Sequence, residues 1–179
     1  PHVILRKKLI AGEYVNGLGK TLGNFCARTA FRGSDLSLPT KEKKKDTALF
    51  QGNVELMAIT ENLIFTEPYF EAEMNHHTEG LEPVINTLRS DVSLKQEVQH
   101  MLVKFTSNTE TLLHGDLHSG SVMCTDKETK IIDPEFGFYG PMGFDIGMLI
   151  SNFLMAYFSQ PGHRTENTLE EYQNWILSI

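Results

Sequence analysis

The sequence predicts an α+β fold that is mainly helical and carries one small β-hairpin. Apolar residues recur at three- and four-residue spacing over several separate segments, which is the pattern of helices with one face in a core. Two short strand-like runs, Ser121–Cys124 and Lys130–Asp133, flank the turn-like Asp126-Lys127-Glu128. The composition, 40% hydrophobic and 22% charged over 179 residues, is that of a packed domain or most of one. It excludes a disordered tail, a collagen-like fibre and a coiled-coil rod.

Taken in order, Leu18, Leu22, Phe25, Cys26 and Ala30 mark a first helix, with Gly33 as its stop. A lysine run, Lys41-Glu42-Lys43-Lys44-Lys45, opens a polar stretch leading to a second helical segment near Val54 to Leu63. No aromatic residues interleave the lysines, so the run reads as a solvated face rather than a binding patch. Phe65 to Gly80, with Pro68, His76 and His77, reads as an irregular connection at the surface. Leu94, Val98, Met101, Leu102 and Phe105 give the clearest amphipathic helix, with Ser93 and Gln96 spaced as a capping box. Leu112-Leu113 is a short apolar run ahead of the hairpin. After a Gly- and Pro-rich loop, Ile146, Leu149, Ile150, Phe153, Leu154 and Tyr157 define one helix face. Met148, Met155 and Phe158 make the other side apolar too, which predicts a central, buried helix. Thr168 and Glu171 are spaced to cap a last helix.

The helical pattern of Tyr172, Trp175, Ile176 and Ile179 still holds at the final residue, and the chain opens on Pro1 with no signal peptide. Both ends read as cuts, so a fragment is expected. The longest apolar stretch, Ile146 to Phe158, is short of the roughly 20 residues that cross a bilayer, and no membrane partner is expected. A net charge of −7 argues against a nucleic-acid partner, which would call for excess Lys and Arg. Two cysteines, Cys26 and Cys124, make no disulfide scaffold and fit a reducing, cytoplasmic setting as buried thiols.

The chemistry concentrates in Leu113-His114-Gly115-Asp116-Leu117-His118-Ser119-Gly120-Ser121 and in Ile131-Ile132-Asp133-Pro134-Glu135. Pairing the two strands around residue 127 sets position 121 opposite position 133, and brings Asp116, Asp133 and Glu135 to one end of the hairpin. Three carboxylates at one end repel one another unless a cation neutralises them. Mg²⁺ does so with one or two carboxylates plus phosphate oxygens. This is a layout for phosphoryl transfer from a nucleotide: Asp116 deprotonates the attacking hydroxyl, while Asp133 and Glu135 hold magnesium on the phosphates.

These strings resemble the aminoglycoside and choline kinase group, which shares the protein-kinase fold. His114 to Met123 and Asp133 to Gly147 are similar to the methylthioribose kinases within it, as are Gly52-Asn53-Val54-Glu55-Leu56 and the opening Pro1 to Lys7. The resemblance implies that residues 1–179 are the C-terminal lobe of such a kinase, without its N-terminal lobe and extreme C-terminus. It implies ATP as co-substrate, Mg²⁺ as cofactor, phosphorylation of the C1 hydroxyl of a thiosugar in methionine salvage, and a possible homodimer for the full-length protein. Asp116 is then base and sugar contact, and Asp133, Pro134 and Glu135 form the ATP-binding stretch. His114 and Asp145 support the catalytic loop, with Asp145 bracing it through its backbone. Most kinases of the fold carry a metal-binding Asn five residues after the base; here it is Ser121, as in the methylthioribose kinases. Glu135 is expected to replace that ligand and Ser121 to reach the metal through a water.

The glycine flap and lysine of an N-terminal lobe are not visible, so the 179 residues alone are expected to turn over little. Gly17-Leu18-Gly19-Lys20-Thr21 imitates a phosphate loop, but Tyr14 stands where its first Gly is required. Two other readings compete. Gly115-Asp116-Leu117-His118 also resembles the signature of two-metal phosphoesterases, although their further ligand motifs are missing. A catalytically dead kinase-lobe binding module is the other.

Overall fold

The computed structural model describes residues 1–179. The chain runs through β1 (Val3–Ile4), α1 (Leu5–Ala11), α2 (Leu18–Arg32), α3 (Thr40–Phe50) and α4 (Val54–Thr60), which continues as a π-helical turn over Glu61–Thr66. Then come α5 (Glu82–Ser90), α6 (Val92–Ser107), β2 (Thr111–Leu112), β3 (Val122–Cys124), β4 (Thr129–Ile131), β5 (Tyr139–Gly140), α7 (Gly143–Ser159) and α8 (Glu166–Leu177). The fold is therefore α+β and mainly helical, as the apolar spacing predicts. Gly17 to Thr21 is the start of α2, with the Thr21 N–H donating to the Gly17 carbonyl at 3.0 Å and Leu18 in the core, so the apparent phosphate loop is an ordinary helix start.

The hairpin forms, but with two differences. Its register pairs Val122 with Ile131 and Cys124 with Thr129. The Ile132 N–H accordingly donates to the Ser121 carbonyl at 3.0 Å, so Ser121 stands opposite Ile132 and not Asp133. The cause is a tight turn: the Thr125 N–H donates to the Glu128 carbonyl at 2.8 Å, leaving only Asp126 and Lys127 in the loop. The second difference is β1, which adds an antiparallel third strand, Val3 opposite Cys124 and Ile4 opposite Met123. A separate two-stranded sheet pairs Thr111 with Gly140 and Leu112 with Tyr139.

Helix boundaries move where capping chemistry decides them. The cap of α6 is Asp91, whose Oδ1 accepts the Leu94 N–H at 2.9 Å; Ser93 lies inside the helix and forms no capping box. Thr165, not Thr168, precedes α8, with no side-chain cap bond. A helix, α5, follows Gly80 where the sequence pattern suggests none, opened by Pro83 in its first turn. Within the lysine run, Lys43 is buried and paired to Asp35 at 2.5 Å, while its lysine neighbours are exposed. His76 and His77 are exposed.

The prediction that α7 is central and buried fails. Asp145 and Leu149 are buried, and Phe153, Ala156 and Tyr157 pack on the core, but Ile150, Met155 and Phe158 are more than half exposed. An all-round apolar helix buries only the flank its neighbours reach. No helix is long and apolar enough to cross a membrane.

Two apolar clusters flank the central loop. One gathers Leu5, Leu9, Leu18, Leu22, Leu117, Val122, Leu149, Tyr172 and Ile176. The other joins Phe65, Phe105, Leu113 and Phe138, with Phe105 and Phe138 ring centroids 4.7 Å apart. Leu113 and Leu117 thus anchor the two ends of a five-residue loop in different cores. Each burial stabilises by about 1.5–3 kcal/mol relative to exposure, and together they leave His114, Gly115 and Asp116 little freedom.

Candidate active site

The Leu113–Ser121 loop leaves β2 and is braced from α7. Asp145, buried near the start of that helix, accepts the His114 N–H at 2.7 Å and the Gly115 N–H at 3.1 Å, one on each carboxylate oxygen. Burial pushes the Asp145 carboxyl above the ordinary range, and the two backbone N–H groups draw it part of the way back. His114 is buried and works in both directions: its Nδ1 accepts the Asp116 N–H at 3.3 Å, and its Nε2 lies 2.8 Å from the Ile132 carbonyl. Since Nδ1 accepts, the proton sits on Nε2, which donates to Ile132. The loop is thereby tied to the residue immediately before Asp133.

Ser121 is tied to the loop that carries Asp116. It is buried, and its Oγ donates to the Asp116 carbonyl at 2.7 Å. That hydrogen bond closes the loop by giving the Asp116 carbonyl, which has no strand partner, a donor.

Asp133 has left-handed backbone (φ 66°, ψ 56°) and turns the chain into a short 3₁₀ turn over Pro134–Phe136. Asp133, Pro134 and Glu135 are all exposed. Neither acidic side chain makes a hydrogen bond or ion pair with the protein. The far side of this loop is held by Asn53, at the start of α4, whose Nδ2 donates to the carbonyls of Glu135 at 2.8 Å and Gly137 at 3.1 Å. The two loops meet at Gly115, which has φ 84°: a Cβ there would lie 2.1 Å from the Phe136 carbonyl oxygen. Only glycine allows that approach.

Asp116 is partly exposed, and its Oδ2 lies 3.2 Å from His118 Nε2. His118 Nδ1 in turn faces the Gly120 N–H at 2.9 Å and Arg6 Nη2 at 3.0 Å. Ser119 donates its N–H and Oγ–H to Asn152 Oδ1 on α7, at 3.2 and 2.8 Å. Sequence reasoning misses Arg6, Asn53 and Asn152, and places His118 in the key string without giving it a role in the kinase reading. Asn152 carries a signal, as a polar residue in an otherwise apolar helix; Arg6 and Asn53 carry none beyond their place in strings of family resemblance.

No three His, Cys, Asp or Glu side chains gather closely enough to hold a metal ion. The arrangement of Asp116, Asp133 and Glu135 is therefore two loops in contact, not a closed carboxylate cluster. Two exposed hard oxygen donors on one loop still suit Mg²⁺, which takes one or two carboxylates and completes its shell with phosphate oxygens and water. A cavity of about 760 Å³ between α2, α3 and the hairpin reaches His114 and Pro134 but none of the three carboxylates.

The Asp116 loop, braced by the buried Asp145, lies against a second acidic loop at the hairpin end, an arrangement that phosphoryl transfer can use. Comparison with known proteins agrees: residues 12–175 match the phosphotransferase enzyme family, and the chain belongs to it. More narrowly, it is 50% identical over 179 residues to a methylthioribose kinase of Escherichia coli, covering 99% of this chain and 43% of that protein. It is 43% identical to methylthioribose kinase 1 of rice (Oryza sativa subsp. japonica), covering 99% and 42%. A methylthioribose kinase of Geobacillus thermodenitrificans is 45% identical over 158 residues, covering 88% and 40%. The chain spans about two fifths of the length of these relatives.

Proposed function

We propose that this chain provides the catalytic loops of an ATP-dependent kinase that phosphorylates the C1 hydroxyl of methylthioribose, a step of methionine salvage in the cytoplasm. The contact between Gly115 and Phe136 carries the reading, because it sets the Asp116 loop directly against the Asp133–Glu135 loop. The names of the relatives supply the substrate.

In this reading Asp116 takes the proton of the sugar hydroxyl as its oxygen attacks the γ-phosphorus. The new P–O bond forms while the bond from that phosphorus to the oxygen bridging to ADP breaks. Asp133 and Glu135 would hold Mg²⁺, which neutralises charge on the phosphates, and Pro134 sets the spacing between them. Asp145 and His114 hold the loop by its backbone, Ser121 holds the Asp116 carbonyl, and its remaining lone pairs would reach the metal through a water. The rest of a full-length protein would supply the flap over the phosphates and further sugar contacts, so these 179 residues alone would turn over little.

The test is an assay of the full-length protein with ATP and methylthioribose, following ADP and the sugar phosphate. Nucleotide-dependent transfer to C1 is expected. Phosphoester hydrolysis without nucleotide, or ATP turnover on other alcohols but not on methylthioribose, would overturn the reading.

A further inference from the structure

A chain of contacts runs from Arg6 through His118 to Asp116, and phosphoryl transfer by Asp116, Asp133 and Glu135 leaves it without a role. Arg6 follows β1, and its position is set twice, by the pairing of β1 with β3 and by its own N–H, which donates to the Ser119 carbonyl at 3.1 Å. From there its Nη2 reaches His118 Nδ1 at 3.0 Å, a contact between residues 112 apart in sequence. The Gly120 N–H approaches the same nitrogen at 2.9 Å. The ring lies so close to the backbone there that a Cβ at position 120 would be 2.4 Å from His118 Cε1.

Both neighbours of Nδ1 are obligate donors, since neither a guanidinium nor a backbone N–H can accept. Nδ1 must therefore be the unprotonated nitrogen, and the proton of the neutral ring lies on Nε2. A doubly protonated ring would set an N–H against two further N–H groups, one of them on a cation. Nε2 is 3.2 Å from Asp116 Oδ2. We propose that Arg6 and Gly120 hold His118 as the Nε2–H tautomer, so that His118 donates to Asp116 Oδ2 and turns the carboxylate's other oxygen toward the acceptor hydroxyl. His118 is then a positioning residue for the base, and Arg6 positions His118. This rests on Asp116 being the base.

Two measurements test it, one of them independent of activity. In the full-length protein labelled with ¹⁵N-histidine, correlation spectra of the neutral imidazoles report which nitrogen of His118 bears the proton. Nε2–H is expected, and Nδ1–H or an even mixture overturns the proposal even if the protein is a methylthioribose kinase. The second compares His118→Gln with His118→Asn in the full-length enzyme. The glutamine amide N–H reaches the place of Nε2 and can still donate to Asp116. The asparagine oxygen reaches the place of Nδ1 and can only serve the Gly120 N–H. If His118 positions Asp116, His118→Asn lowers kcat by about 10- to 100-fold at unchanged KM, and His118→Gln restores most of it. If His118 merely closes the loop, the order reverses and the proposal falls. Should the wild-type protein transfer no phosphate, the kinase reading fails, and the tautomer spectrum still decides the proton's place.

Discussion

The loop bearing Asp116 and the loop bearing Asp133 and Glu135 touch at Gly115 and Phe136, yet they are built in opposite ways. In the first, polar groups are matched within the protein: His114 and Gly115 N–H on Asp145, the Asp116 N–H on His114, the Asp116 carbonyl on Ser121, and Asp116 Oδ2 on His118. In the second, only the backbone is held, by Asn53, and the acidic side chains are exposed to solvent without partners. The first loop is organised before anything binds. The second is a held backbone presenting exposed carboxylates. On the proposed reading the difference is functional: Asp116 as a base would have to be aimed in advance, whereas Asp133 and Glu135 as metal ligands would need only to be reachable.

The largest effect that would sharpen this contrast is on turnover. Asp116→Asn in the full-length protein should lower kcat by roughly 10²–10⁴ with the fold intact, measured by steady-state kinetics beside circular dichroism. Unchanged kinetics would make Asp116 a structural residue. Next is the brace. Asp145→Ala leaves two buried N–H groups unpaired and should cost roughly 2–5 kcal/mol in urea unfolding. Its pH dependence has a definite sign: burial holds the folded carboxyl above its unfolded value, so the folded state keeps this proton to higher pH. That contribution is complete below the unfolded pKa, about 3.9, and is lost as pH rises through the folded value. Stability of the wild type relative to Asp145→Asn should therefore fall as pH rises from about 4; a rise would show that the backbone hydrogen bonds outweigh burial.

Smaller is Gly115→Ala. The left-handed backbone alone costs about 1–2 kcal/mol, and displacing Phe136 adds to it and separates the loops. A variant as stable and active as the wild type would mean that the contact between them is dispensable. The smallest expected effect is the other side of the comparison. Asp133→Gly should change stability by no more than about 1 kcal/mol, since relief of a left-handed aspartate offsets glycine's greater unfolded freedom. The same substitution should abolish nucleotide-dependent turnover. A large loss of stability would show that Asp133 belongs to the braced part of the site after all.

How much of the fold and site is legible in the sequence follows the range of the interaction involved. The mainly helical pattern, the hairpin and the acidic strings around it are local features, and short-range spacing carries them. The hairpin register differs by one position from the expected one because a two-residue turn and a longer one leave nearly the same alternation on the strands. β1 is only Val3 and Ile4, too short to show a period, and it exists because β3 offers it an open edge. The exposed flank of α7 is likewise invisible in advance: apolar residues all round state a demand for burial, and only the neighbouring helices determine which side is met.

Residue identity settled which chemistry was available, since Asp116, Asp133, Glu135 and the buried acceptor Asp145 stand in short strings that can be read directly. Which of them are held, and by what, was settled by packing. Arg6 meets His118 across 112 residues and Asn53 meets Glu135 across 82. Ser121, which the family resemblance links to a metal through a water, also donates its hydroxyl to the Asp116 carbonyl, a contact no local pattern announces. Polar groups removed from water must find whatever donor or acceptor packing brings within reach, and that choice is made only once the chain has closed on itself.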